Sequence, residues 1–298
     1  MSEKRLFGQR PAPLPAGQLP INLPFTKMEG AGNDYIYIEE FQKVLENPAA
    51  LAVHLSDRNF GIGGDGLVLM GPSLVADFRM RIFNADGSEA EMCGNASRCV
   101  GKYLYEHGFT SRKEIALETA SGIKTLHLQT KKGNVVRVRV DMGQPALDPV
   151  AVPVLAASPF IHQPLEAAGR TWHGTALSMG NPHLVIPVPD VAALDLERMG
   201  PLFENHPLFP QRVNTEFVEI VDAEHVRMRV WERGSGETLA CGTGACATVV
   251  ACVLNGLTGR AVAVSLRGGT LTVEWSQSGA VFMTGPATEV FSGIFEPR

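Results

Sequence analysis

RMRIFNADGSEAEMCGNASRC (residues 79–99) and RMRVWERGSGETLACGTGACA (residues 227–247) are two versions of one pattern. Each runs Arg-Met-Arg, an aliphatic, an aromatic and a glycine-containing turn, then Cys-Gly. Cys93 follows Arg79 by 14 residues, Cys241 follows Arg227 by the same 14, and the two cysteines lie 148 residues apart. That separation also carries Gly32-Asn33 onto Gly180-Asn181, and Ile36-Tyr37-Ile38 onto Leu184-Val185-Ile186. One shift of half the chain indicates a duplicated domain and not a solenoid.

Alternating and β-branched residues predict strands at DYIYIE, GLVLM, FRMRIF, IALET, TLHLQ and VVRVRVDMG. The second half repeats them with HLVIPV, TEFVEIV, VRMRVWE, AVAVSL, LTVEW and AVFMTG. Each half has one conspicuous helix directly after its cysteine, ending at Gly108 or Gly256, where a left-handed residue suits the C-terminus. The second of these helices is apolar almost all round, so most of its faces should be buried. The expected fold is α+β: two pseudo-symmetric domains, each a mixed, mostly antiparallel sheet wrapped around a central helix. The halves fall at 25–142, carrying Cys93, and 143–286, carrying Cys241. A Pro-rich arm precedes them over 1–24, and a last strand, 287–298, returns to complete the first half.

The 298 residues are 45% hydrophobic and 19% charged, enough apolar material for two cores. The net charge of −5, with no Lys/Arg-rich run, argues against a nucleic-acid or anionic-membrane partner. No apolar run is long enough to span a bilayer. The arm has charges but no apolar segment after them, and Pro11, Pro13, Pro15, Pro20 and Pro24 interrupt it, so it reads as a flexible leader and not a signal peptide. With five cysteines, an odd number, the chain reads as cytoplasmic with reduced thiols.

Two cysteines at matched helix starts suggest paired acid–base chemistry. A helix N-terminus offers unpaired N–H groups and partial positive charge, which lower a thiol's pKa and hold an anion such as a carboxylate. Two such ends facing one cleft would flank a substrate from opposite sides. A thiolate on one face and a thiol on the other can invert a carbon α to a carboxylate, with no metal or pyridoxal phosphate required. Cys99, Cys246 and Cys252 fall inside the helices and read as small buried hydrophobes. The absence of any C-x₂-C pair argues against a zinc site.

At these residues the chain resembles the diaminopimelate epimerase family. FTKMEGAGNDYIYIE, DRNFGIGGDGLVL, FNADGSEAEMCGNASRCVG, SMGNPHLVI, VNTEFVEIV and WERGSGETLACGTGACA follow the family's motifs in order, from Phe25 to the last strand. Proline racemase-like relatives carry Cys-Gly-His after the first cysteine, where this chain has Cys-Gly-Asn. The resemblance implies interconversion of LL- and meso-diaminopimelate without a cofactor, serving lysine and cell-wall synthesis, and a homodimer is common in that family. It implies that Cys93 and Cys241 are the acid–base pair, with His183 beside the first thiol and Glu232 beside the second. It makes Asn33 a ligand of the reacting end and Gly94, Asn95, Gly242 and Thr243 the cradle for its carboxylate. Asn84, Asn181, Asn214 and Arg233 would hold the far, non-reacting amino-acid head, and Glu232 would touch substrate as well.

Two positions depart from the pattern. Gly66 stands where some members have a glutamine that touches substrate, and Ala96 where glycine is more frequent. Gly66 keeps open a racemase of the same fold acting on another amino acid. A reading of another class, a binding protein or a redox sensor using Cys93 and Cys241, predicts ligand binding or disulfide formation without α-proton exchange.

Overall fold

The computed structural model describes Pro20 and residues 22–296. Nearly all of the arm therefore lies outside the described residues, and Leu23 and Pro24 at its end already belong to the first strand. The first half runs β1 (Leu23–Gly30), β2 (Asn33–Glu39), α1 (Pro48–Ser56), β3 (Gly66–Gly71), β4 (Phe78–Asn84), β5 (Glu89–Ala90), α2 (Gly94–Glu106), β6 (Glu114–Thr119), β7 (Gly122–Lys131) and β8 (Asn134–Gly143). The second runs β9 (Gln163–Ala167), β10 (Arg170–Ser178), β11 (Pro182–Pro187), α3 (Leu196–Glu204), β12 (Asn214–Ile220), β13 (His225–Glu232), β14 (Gly236–Thr238), α4 (Gly242–Leu254), β15 (Ala261–Leu266), β16 (Gly269–Trp275) and β17 (Val281–Gly285). The strand β18 (Thr288–Phe295) closes the chain.

The 148-residue shift carries both ends of α2 onto those of α4, and both ends of α1 onto those of α3. Pairing repeats as well. Parallel contacts β2–β3 and β4–β6 in the first half recur as β11–β12 and β13–β15 in the second. The other strand pairings described are antiparallel. Each half is thus a mixed, mostly antiparallel sheet folded round one helix, with a short helix, α1 or α3, on the outer face.

Strand β2 shows how residues build these layers. Successive side chains of a strand point to opposite faces. Tyr35 and Tyr37 join the inner core around α2, while Ile36 and Ile38 join the outer cluster with Leu51 and Leu55 of α1. Both faces are covered, so the run is apolar without a polar alternate. In α4 the nearly continuous apolar sequence is buried from Ala245 to Cys252. Each central helix ends as its glycine predicted, with Gly108 at φ 79° and Gly256 at φ 67°.

The halves are not separate cores. One cluster of buried residues runs from Val100 and Leu104 of α2 to Val249 and Val250 of α4. Two strand pairings also cross between the halves: β8 pairs with β17, and β18 returns to pair with β1 from Leu23↔Phe295 to Glu29↔Thr288. Among the described residues no helix is long and apolar enough to cross a membrane.

Candidate active site

Cys93 and Cys241 are the N-cap residues of α2 and α4. Both backbones are extended, with φ −139° and −124°, and both side chains turn back over the first helical turn. Cys93 Sγ accepts from Ala96 N at 3.5 Å, and Cys241 Sγ accepts from Gly244 N at 3.4 Å. A thiol here takes the place of the usual Ser or Asp cap, so each sulfur meets the partly positive end of a helix. The glycines that follow are imposed by packing as well as by the turn. A Cβ on Gly94 would lie 2.5 Å from Met283 Cε, and one on Gly242 would lie 3.1 Å from Met283 Sδ. Met283 of β17 thus packs against both helix starts.

The two caps open into one cavity of about 840 Å³. Asn33, Cys93, Gly94 and Asn95 line it from the first half; Asn181, Glu232, Cys241, Gly242 and Thr243 line it from the second. Asn84 reaches it from the end of β4, and also makes the tight turn its sequence suggested, with Gly87 N donating to its carbonyl at 2.8 Å. The Cys93 thiol donates to Asn33 Oδ1 at 3.3 Å, and Asn33 Nδ2 donates to Asp65 at 2.7 Å. Around the other thiol, Thr243 Oγ1 lies 3.5 Å from Cys241 Sγ and accepts from Asn181 Nδ2 at 3.3 Å. Glu232 hydrogen-bonds both Cys241 and Thr238.

The helix ends do not leave the thiols acidic. Burial pushes Cys93 up, although the N–H groups of Ala96 and Asn95 and the charge of Arg98 pull the other way. Burial pushes Cys241 well above the ordinary thiol range, and the carboxylates of Glu232 and Glu216 add to it. The helix end alone would lower each thiol, but desolvation by burial is the larger effect at both. Burial raises Glu232 as well.

Three of the residues proposed from sequence do not line the cavity. His183, expected beside the first thiol, is fully buried on β11 with both ring nitrogens engaged: Nδ1 lies 2.7 Å from Glu216 Oε1 and Nε2 lies 2.9 Å from Asn181 Oδ1. It therefore reaches Cys241 through Asn181 and Thr243. Asn214 donates to Pro182 O and accepts from Arg233 N, both at 2.9 Å, tying β11 to the turn after β13. Arg233 is half-buried; its guanidinium donates to Gln211 O at 3.1 Å and makes no ion pair among the described residues.

Sequence reasoning overlooked Glu216, Tyr35 and Asp65. Glu216 could have been found, because a carboxylate at an inward position of an apolar strand is a functional signal. It also accounts for the two residues at the third helical positions. A Cβ on Gly244 would meet Glu216 Oε1 at 2.6 Å, whereas Ala96, 148 residues earlier, has Val68 at the place equivalent to Glu216. Gly66 has a similar explanation: a Cβ there would lie 2.1 Å from Phe83 O and 2.8 Å from Tyr35 Cε1. All five cysteines are free, and Cys99, Cys246 and Cys252 are buried thiols pushed up to about 12 by desolvation.

The sequence profile of the diaminopimelate epimerase family matches residues 25–147 and 175–290, one block in each half. The chain belongs to this family. A diaminopimelate epimerase from Agathobacter rectalis is 57% identical over 280 residues, covering 91% of this chain and 98% of that one. One from Desulfovibrio desulfuricans is 55% identical over 283 residues, covering 92% and 99%. Among solved structures, a Bacillus anthracis phenazine biosynthesis protein of the PhzF family superposes with a TM-score of 0.67 over 93% of this chain and 99% of that one. At 16% identity that likeness shows the shared fold alone.

Proposed function

We propose that the chain is a diaminopimelate epimerase that inverts one α-carbon by moving protons between two thiols, converting LL- to meso-2,6-diaminopimelate and back. The observation that carries this reading is the pair of cysteine N-caps, 148 residues apart, opening on one cavity. A substrate carboxylate set between the two helix starts would accept from their free N–H groups. Those donors favour the charge that develops on the carboxylate as the α-proton leaves, and preorganised donors of this kind are worth about 3–4 kcal/mol each to a transition state. One thiolate removes the α-proton and the opposite thiol delivers another to the far face. A thiol held above its ordinary pKa is rarer as thiolate but a stronger base, which suits so weak a carbon acid. The scheme draws both proton sites from the chain and calls on no cofactor.

The far amino-acid head is assigned to Asn84, Asn181 and Arg233, with Asn214 holding the Arg233 turn. Arg233 has no carboxylate partner among the described residues; it stands just outside the cavity lining, between Glu232 and Gly234, which are on it, so the role asks its planar fork to turn inward to a substrate carboxylate. His183 and Glu216 hold Asn181 and Thr243 at Cys241. The case for a different amino acid rested on Gly66, and packing against Phe83 and Tyr35 now explains that glycine. We place the reaction in the cytoplasm, supplying lysine and peptidoglycan precursors.

The test is to incubate reduced chain with LL-diaminopimelate and separate the stereoisomers. The reading expects meso product at useful rates, and turnover of a one-headed amino acid such as alanine at least about a hundredfold lower, because the far donors stay unpaired. Equal turnover of the one-headed substrate contradicts it.

A further inference from the structure

Arg98 is fully buried, yet no carboxylate pairs with it among the described residues. It lies in the second turn of α2, directly below the Cys93 cap. Its Nε donates to Pro286 O at 2.9 Å, and its Nη1 to Asn95 Oδ1 at 2.9 Å and Gly94 O at 3.4 Å. Its Nη2 has no hydrogen-bond partner among the described residues. All these acceptors are neutral, so the positive charge has no ion-pair partner among the described residues, a costly placement in a protein interior. The fold makes room for it with two glycines: a Cβ on Gly285 would lie 2.9 Å from Nε, and one on Gly30 would lie 3.1 Å from Nη2.

The second half lacks this cation. The residue 148 positions after Arg98 is Cys246; the partners of Val68 and Asn84 are Glu216 and Glu232. The duplicated device is thus polarised, with a cation under Cys93 alone; Glu216 and Glu232 both act on Cys241, and Glu232 also faces Cys93 and works against Arg98 there. The titratable groups facing Arg98 are Cys93 and Cys99 from α2, Tyr37 from β2, Glu29 from β1 and Cys246 from α4. Desolvation keeps Cys99 and Cys246 as thiols, each pushed up to about 12, and holds Tyr37 well above the usual phenol range. Glu29 is turned onto Gly32 N at 2.9 Å and forms no ion pair with Arg98. Glu29 still acts on Arg98 through its charge, but of the titratable groups facing Arg98 only Cys93 also lines the cavity.

We propose that Arg98 is a positioning residue that makes Cys93 the first of the two thiols to ionise, so that the singly ionised pair carries its charge on Cys93 and leaves Cys241 protonated. It acts by its unpaired charge and by the bridge Arg98–Asn95–Asn33–Cys93, in which Asn95 Nδ2 donates to Asn33 Oδ1 at 3.4 Å. The inference rests on the two-thiol reading above. In the forward step the Cys93 thiolate takes the α-proton and becomes a thiol, while Cys241 gives up its proton and becomes a thiolate. The product form therefore carries its charge beside Glu232 and Glu216 and away from Arg98. A proton must then pass to Cys241 and one must leave Cys93 before the starting form returns. One stereoisomer meets this form directly; the other meets the minor form of the singly ionised pair.

The test needs no substrate. Reduced full-length chain is pulsed with iodoacetamide from about pH 6 to pH 11, alkylation of each cysteine is read by peptide mass spectrometry, and a cysteine with no midpoint in that range counts as ionising after one that has it. Difference in access changes the rate, and only ionisation sets the midpoint. The proposal expects Cys93 to have the lower midpoint in the native chain. Arg98→Met should raise it by about one pH unit or more while leaving Cys241 within a few tenths, and Arg98→Lys should recover at least half of the shift. The proposal is overturned if Cys241 ionises first in the native chain, if Arg98→Met leaves the Cys93 midpoint in place, or if both midpoints move together. Should Arg98→Met fail to fold, as judged by circular dichroism, the native comparison and Arg98→Lys, which must keep Cys93 below Cys241, decide it. Because no epimerase activity is read, these outcomes are separate from failure of the functional reading.

Discussion

Gly244 and Ala96 occupy matching positions at the start of two matching helices, yet only one can carry a methyl group. In the second half the space belongs to Glu216, which in turn holds His183. Gly244→Ala should push Glu216 off the histidine, destabilise the fold by about 1–3 kcal/mol and cut turnover more than tenfold. Ala96→Gly should cost no more than about 1 kcal/mol. Thermal melts and initial rates of the two variants check this, and equal losses would contradict it. The pH profile is argued from the same residues. Turnover needs one thiol ionised and the other protonated, so the rate rises as the first ionises and falls as the second loses its proton. Cys241, pushed higher by Glu232 and Glu216, governs the falling limb. Glu232→Gln removes a negative charge beside it, which lowers the Cys241 pKa and should move that limb to lower pH by about one unit. An unmoved or upward-shifted limb would count against Glu232 as the partner of Cys241. The residues that carry this argument divide by how visible they were. Cys93, Cys241 and Glu232 stand in repeated motifs; Glu216 leaves the trace of a carboxylate at an inward strand position, whereas Arg98 sits among polar and small residues at a helix start, where only its three-dimensional neighbours show that a charge has been buried.

Helices α2 and α4 were legible from sequence because each starts at a cysteine followed by glycine and ends at a glycine that must be left-handed. Gly108 and Gly256 have open space around a would-be Cβ, so the backbone alone demands glycine there. Gly256→Ala should therefore destabilise the protein by about 1–2 kcal/mol, read as a lower denaturant midpoint at constant slope. The outer helices were missed for physical reasons. PAALAVHLS of α1 is short and apolar on most sides, so it carries almost no helical period. LERMGPLFE of α3 has Pro201 inside it, which reads as a breaker although a nine-residue helix tolerates it against the outer core. The hairpin β9–β10 turns at Ala168 and Gly169, both with positive φ, and an alanine in that conformation leaves little trace in a sequence.

At the scale of the whole molecule the duplication does not make two independent units. The core around α2 continues into that around α4, β8 is completed by β17, and β1 by β18. Chemical unfolding should be a single cooperative transition with coincident fluorescence and circular dichroism curves, and two resolved transitions would contradict this. The reason for building the site between the halves is chemical: one helix start from each places one thiol on each side of a shared cavity. The most direct measurement of that claim is deuterium incorporation at the α-carbon when reduced chain acts on LL-diaminopimelate in D₂O. The native chain should place solvent deuterium in the inverted product, and both Cys93→Ala and Cys241→Ala should lose inversion by at least about a thousandfold. Inversion that survives loss of either cysteine, or inverted product without solvent deuterium, would contradict the two-thiol account.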